Sequence, residues 1–135
     1  MINNKINQML EAAKTARDLA YAPYSKFKVG VSIITKKGNI YSGCNVENAA
    51  YPESICAEAS AIANMILGNE GEIEEILVMG NDEILCTPCG GCRQKIREFS
   101  TAKTQIHMAK EKEILCTLTL DELLPLSFGP ENLSN

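Results

Sequence analysis

The 135-residue sequence predicts an α/β fold of three layers, with a mixed five-stranded sheet covered by helices on both faces. Three observations carry that expectation. Five short β-like runs are spread along the chain, segments with helical spacing interleave with them in the order α, β, β, α, β, α, β, β, and in the middle of the chain strands alternate with helices. A strand that returns to the same sheet through a helix makes a crossover, so part of the sheet must be parallel.

The elements follow in order. Ile6, Met9, Leu10, Ala13, Ala16 and Ala20 recur at helical spacing, and Ala22-Pro23-Tyr24-Ser25 stops that helix. Phe27, Val29, Val31 and Ile33 then alternate with Lys28, Gly30 and Ser32. Lys36-Lys37-Gly38-Asn39 separates them from a second run over 40–44, which predicts a hairpin. After the loop Tyr51-Pro52-Glu53-Ser54, an Ala-rich segment places Ala57, Ala61, Ile62, Met65 and Ile66 on one helical face with Cys56 in the first turn, and Gly68-Asn69 ends it. A run over 73–79, a helix over 94–99, and runs over 104–108 and 114–118 complete the series. Thr119 and Glu122 form a capping box for a last short helix over 120–124. Met65, Met79 and Met108 fall at core positions, and His107, in a strand, reads as a hydrogen-bonded sheet residue.

With 45% hydrophobic residues and no tract rich in Gly, Pro or polar repeats, residues 1–135 are expected to close one core as a single domain. Apolar stretches run only four or five residues, as over 76–79, too few to span a bilayer, and the first five residues lack the apolar centre of a signal peptide. A cytoplasmic protein with no membrane partner is the expectation. Residues 1–38 carry seven Lys/Arg against two acids, 39–85 carry nine acids and no base, and 86–135 balance six against six. A middle third without a cation is a poor cradle for a phosphate backbone, so nucleic acid is not expected as a partner.

Six cysteines without a secretory signal imply reduced thiols rather than a disulfide framework. Cys89-Gly90-Gly91-Cys92 sets two thiols three apart on a Gly-rich turn that enters a helix. Metal binding, a redox pair and simple packing all use that spacing. Glu58, two residues past Cys56 on an otherwise apolar or small-residue helix, taken alone reads as a surface carboxylate. Both thiol regions sit at helix N-termini, where open α/β sheets collect their ligands. Cys56, Cys89 and Cys92 then supply three soft ligands to a tetrahedral ion and leave its fourth position open, the mark of a catalytic rather than a structural zinc.

These residues resemble a known family. Cys56-Ala57-Glu58 opening one helix and Pro88-Cys89-Gly90-Gly91-Cys92-Arg93-Gln94 opening the next are similar to the zinc-dependent cytidine deaminases of nucleoside salvage, in their short, all-cysteine, homotetrameric type. The stretches 22–30 and 43–51, and Leu123-Leu124-Pro125 with Phe128, match the same pattern. The resemblance implies the cytidine deaminase-like fold and one Zn²⁺ per subunit on Cys56, Cys89 and Cys92. It implies hydrolysis of cytidine and deoxycytidine to uridine and deoxyuridine plus ammonia, by zinc-bound hydroxide attack at C4 with Glu58 as the proton shuttle.

By the same resemblance Asn45 and Glu47 hold the ribose, Phe27 packs on the base, backbone near Ala57 reads the base's polar edge, and Phe128 enters a neighbouring subunit's site. An anionic Glu47 in a segment without Lys or Arg disfavours a 5′-phosphate, so the free nucleoside is the expected substrate. The sequence departs from many all-cysteine members by placing Ala59, not Arg, directly after the catalytic Glu; Arg93 is a candidate for the missing charge, and a differently tuned pH-rate profile is expected. Two other chemistries share the cysteines. Cys86, Cys89 and Cys92 have iron–sulfur spacing, which leaves Glu58, Asn45 and Glu47 unexplained. A structural zinc would fill its fourth position with Cys86 or Cys44; otherwise Cys44, Cys86 and Cys116 are small buried or site-wall groups.

Overall fold

The computed structural model describes residues 4–81 and 84–133. Helix α1 (Asn4–Asp18) leads into the hairpin β1 (Gly30–Thr35) and β2 (Ile40–Cys44), then α2 (Ala57–Leu67), β3 (Ile73–Met79), α3 (Gly90–Glu98), β4 (Gln105–Lys110), β5 (Glu113–Thr119) and the short α4 (Leu120–Leu123). The five strands form one sheet in the order β2-β1-β3-β4-β5. Strand β1 is antiparallel to both β2 and β3, β3 and β4 are parallel across the α3 crossover, and β4 and β5 are antiparallel. The mixed five-stranded sheet is therefore as expected, with its one parallel pair where strand and helix alternate.

Helix α1 covers one face through Met9, Leu10 and Ala13 packed on Ile34, Leu77, Met79 and Ala109. Helices α2, α3 and α4 cover the other, where Ala61, Met65, Ile96 and Leu123 meet Val31, Ile33, Ile76, Val78, Ile106 and Met108. Because both faces are covered, β1 is buried at every position instead of alternating. Ser32, on the polar side of the expected alternation, is buried and donates to the Met9 carbonyl oxygen at 2.8 Å. Strand β1 also begins later than its hydrophobic pattern suggests: Phe27 and Val29 lie outside it, in the segment that enters the site.

Met65, Met79 and Met108 are fully buried. His107 is buried in the sheet with both ring nitrogens bonded, one to Thr117 Oγ1 at 2.7 Å and the other to Glu75 Oε1 at 2.7 Å; Lys5 pairs with the second Glu75 oxygen. The Thr119–Glu122 capping box is present. Cys116 packs at the edge of the α2/α3 core. Among the described residues no helix is long and apolar enough to cross a membrane.

The pairing register decides where the site forms. Gly30 stands opposite Cys44 on one side and Met79 on the other, so the start of β1 and the ends of β2 and β3 share one end of the sheet. From that end leave 27–29, 45–47 and 80–81, and residues 84–89 run to the N-terminus of α3.

Candidate active site

Each cysteine pair is placed by a helix start. Cys56 and Cys89 are the N-cap residues of α2 and α3, with extended backbone, and Cys92 lies in the first turn of α3, which begins four residues earlier than the apolar pattern alone suggests. Helix N-termini concentrate unpaired N–H groups and partial positive charge, which favours thiolate over thiol. The two helices pack side by side on the same sheet face, and their first turns bring Cys56 Sγ and Cys92 Sγ to 3.0 Å. Cys89, more exposed, lies outside the group that Cys56, Glu58 and Cys92 form within 4.8 Å of one another, and its side chain bonds that of Cys92.

The Cys92 thiol beside it, together with the Ala59 N–H, holds the Cys56 thiol well below its ordinary value, at about 5, against the opposing effect of burial. Cys92 moves the other way, chiefly because Cys56 takes the negative charge that the pair can share. With both thiols in one soft donor set, the arrangement fits a thiophilic, tetrahedral cation such as zinc. Such an ion removes the conflict, because it allows both sulfurs to be deprotonated together.

Glu58, read in isolation as a surface group, is instead buried at 5% exposure, because α2 turns its first-turn side chains toward the crevice between the helices and the sheet end. Its carboxylate lies within 4.8 Å of both the Cys56 and Cys92 sulfurs. Burial pushes the Glu58 carboxyl above the ordinary carboxylate range. Cys86, with its thiol raised to about 11 by burial and by Glu58, stays neutral and forms wall.

These groups line one cavity of about 630 Å³, a volume suited to a small organic ligand. Phe27, Val29, Tyr24 and Tyr51 supply apolar walls; Asn45, Glu47, Ala57 and Glu58 are at its surface, with Cys56, Cys86, Cys89 and Cys92. Among the described residues no Lys or Arg lines it. Phe128 does not reach this cavity: it is half exposed, on the C-terminal strap that Gln94 holds by donating to the Phe128 carbonyl oxygen.

A small crossing of chain brings the distant motifs together. Val46 bridges Tyr21 on one side and Ile55 on the other, so Asn45 and Glu47 are locked beside the residue that precedes Cys56. The Glu47 carboxylate accepts from the backbone N–H groups of Tyr24 and Ser25 at 3.0 and 3.1 Å and from the Ser25 hydroxyl. The Ser25 hydroxyl and backbone hold Glu47 below the usual carboxylate range, so it is an anion at the cavity wall. The Asn45 amide accepts from Val29 N–H and donates to the Phe27 carbonyl oxygen, both at 2.8 Å, and thereby shapes the segment that presents Phe27.

Sequence reasoning did not single out Tyr24, Ser25, Tyr51 or Ser54 as cavity residues; their positions inside the Pro23 and Pro52 turns are the available signal, since rigid turns commonly present ligand contacts. The Arg93 guanidinium donates to the carbonyl oxygens of Pro88, next to Cys89 in the chain, and Leu123, at 2.7 and 2.8 Å.

A mixed sheet with a thiol and carboxyl cluster at two adjacent helix starts defines a class: metal-dependent enzymes that activate water next to a buried proton carrier. Residues 3–108 match the family model described as the cytidine and deoxycytidylate deaminase zinc-binding region. The chain is 36% identical over 129 residues to the cytidine deaminase of Sporosarcina psychrophila, covering 96% of this chain and 95% of that one. It is 40% identical over 111 residues to the cytidine deaminase of Mycoplasma pneumoniae, covering 81% and 83%. The crystal structure of cytidine deaminase from Burkholderia pseudomallei superposes with a TM-score of 0.85 at 36% identity, over 94% of this chain and 100% of that one. The chain belongs to the cytidine and deoxycytidylate deaminase family and is a zinc-dependent hydrolytic deaminase.

Proposed function

We propose that the protein hydrolyses cytidine and deoxycytidine to uridine and deoxyuridine plus ammonia, as a cytoplasmic enzyme of pyrimidine salvage. The observation that carries this reading is the buried Glu58 carboxyl beside the Cys56 and Cys92 sulfurs, at one end of an apolar cavity whose other wall holds Asn45 and Glu47. Its relatives named as cytidine deaminases point to the same substrate.

Cys56, Cys89 and Cys92 would hold one zinc per chain, and zinc when bound supplies a Lewis acid that acidifies a coordinated water. Glu58 receives the proton released from water and carries it to N3 of the base. A further proton passes through the same carboxyl to the C4 amino group, which leaves as ammonia while C4 becomes a carbonyl carbon. Water supplies the oxygen and every proton, so the reaction balances without another reactant. A carboxyl raised by burial holds a proton more readily than an exposed one, which suits it to accept a proton and hand it on. The apolar walls exclude bulk water from the transfer.

Phe27 stacks on the pyrimidine, and backbone next to Ala57 reads its polar edge. Glu47 accepts from ribose hydroxyls, with Asn45 holding the adjoining segment, and the negative wall without any Lys or Arg rejects a 5′-phosphate. Phe128, exposed and outside its own cavity, is assigned to the site of a neighbouring copy in a homotetramer.

The test is the fall in ultraviolet absorbance on mixing the zinc-loaded protein with cytidine. Glu58→Ala should abolish the change while zinc stays bound, and dCMP should react far more slowly than deoxycytidine. Full activity in Glu58→Ala would overturn the proton-shuttle role, and no reaction with either nucleoside would overturn the substrate.

A further inference from the structure

Phe27 and Glu47 face one cavity from separate segments, and a single atom joins them. The Ser25 hydroxyl donates to one oxygen of the Glu47 carboxylate and accepts from the Phe27 N–H at 3.0 Å. The second bond is local, the turn that a serine readily makes with backbone two residues on. The first is not, since it spans a sequence separation of 22. The other Glu47 oxygen accepts from the Tyr24 and Ser25 N–H groups, and the Glu47 N–H donates to the Tyr21 carbonyl oxygen at 2.8 Å. A carboxylate has about four lone-pair sites, and these three donors leave one of them, on the oxygen that Ser25 reaches. That site is the one a sugar hydroxyl can use, and the Ser25 bond sets where it points.

The turn that carries Ser25 is held by bonds and not by burial. Tyr24, Ser25, Lys26 and Phe27 are all exposed. Lys26, between Ser25 and Phe27, has a φ of 63°, in the left-handed region that L side chains rarely adopt. Such a conformation persists only where its surroundings determine it. Here the Lys26 N–H donates to the Ala22 carbonyl oxygen at 3.0 Å, and the residues before and after Lys26 are tied to Glu47 and Asn45. Both backbone polar groups of Phe27 are thereby taken by side chains, the N–H by Ser25 and the carbonyl oxygen by Asn45 at 2.8 Å.

Resting on the reading that Glu47 holds the sugar and Phe27 the base, we propose that Ser25 is a positioning residue for the nucleoside: its hydroxyl aims the open lone pair of Glu47 and fixes the backbone that carries Phe27, so that sugar and base contacts are set together. Its proton is spent on Glu47, so Ser25 acts through that carboxylate. It is not part of the Cys56, Glu58 and Cys92 cluster, and its loss falls on binding rather than on the chemical step.

The experiment is steady-state kinetics on cytidine with zinc-loaded wild type, Ser25→Ala, Ser25→Thr, Glu47→Gln and the double variant Ser25→Ala/Glu47→Gln, at a temperature where thermal unfolding shows each to be folded. Ser25→Ala is expected to raise KM about tenfold, the low end for a hydrogen bond to a charged group, with kcat within about threefold of wild type. Ser25→Thr keeps a hydroxyl that both donates and accepts, and its KM should stay within about threefold of wild type. Glu47→Gln should raise KM by itself, and adding Ser25→Ala to it should cost less than about threefold more, because the two residues act through one contact. A Ser25→Ala enzyme with KM within about twofold of wild type, or one that loses the same factor whether residue 47 is Glu or Gln, would overturn the role of Ser25 and leave the sugar reading intact. A Glu47→Gln enzyme with the KM of wild type would instead overturn the sugar reading, and this inference with it.

Discussion

Gly43 tests whether the packing of α2 on the sheet sets the chemistry at the helix start. It lies in β2 opposite Val31, under α2, where a β-carbon would sit 2.7 Å from the carbonyl carbon and hydroxyl of Ser60 and closer still to the Ala61 nitrogen. Ordinary contact begins at 3.4 Å, so Gly43→Ala drives sheet and helix apart by at least about 0.7 Å, because the Ser60 carbonyl carbon and Ala61 nitrogen it meets are backbone that cannot rotate away. Overpacking of this kind costs about 1–3 kcal/mol. With an unfolding entropy near 2.1 cal/mol/K per residue, that is a drop of about 4–11 °C in the thermal midpoint of a 135-residue chain. Cys56, Ala57 and Glu58 lie one turn before the contact and move with the helix, and a displacement approaching 1 Å in a reacting constellation costs from about tenfold up to about 10²-fold in rate. Gly30→Ala is the control. Its β-carbon would meet Arg17 N at 2.6 Å on α1, on the opposite sheet face, so it should destabilise without moving α2. Thermal unfolding by circular dichroism and kcat on cytidine, taken where both variants are folded, separate the two. A Gly43→Ala enzyme with kcat within twofold of wild type, or a Gly30→Ala enzyme with the larger loss of kcat, would refute the claim that α2 seating positions Glu58.

Two further outcomes follow from the same structure. Burial alone would raise Glu75, but hydrogen bonds from Lys5 and His107 overcome it and hold the carboxyl below its ordinary value of 4.5. A depressed carboxylate contributes stability that is present above pH 4.5 and is lost as pH falls through the lower folded value, so Glu75→Gln should cost about 1–3 kcal/mol at neutral pH and make the acid limb of stability shallower, in urea titrations from pH 7 downward. An unchanged acid limb would remove Glu75 from the account. Cys86, neutral at the cavity wall, should be replaceable by Ser with zinc content near one per chain, measured by atomic emission; loss of the metal would make Cys86 a ligand and the site a closed, structural one.

Much of the fold was legible because its signals are local. Helical spacing marked α1 and α2, the capping box marked α4, and the alternation of strand and helix implied that part of the sheet is parallel. Boundaries near the site were less legible. The pattern from Phe27 reads as strand, yet Phe27 lies outside β1, where the Asn45 side chain bonds the Phe27 carbonyl oxygen and the Val29 N–H from sixteen to eighteen residues away in sequence. The start of α3 was hidden because Gly90 and Gly91 have poor helix propensity, yet the helix begins at Gly90 and buries Cys92 in its first turn.

By itself the sequence determined the chemistry available: three thiols at two helix starts, a carboxyl two residues after the first, and a middle third without cations. Those follow from residue type and short spacing, which survive in any fold that forms the two helices. Tertiary structure alone decided which groups meet. The burial that raises Glu58, the 3.0 Å between Cys56 and Cys92, and the Val46 bridge that brings Glu47 beside the residue before Cys56 all depend on how segments distant in sequence pack together. Desolvation and Coulomb energy vary with three-dimensional separation and dielectric, and neither is a function of distance along the chain.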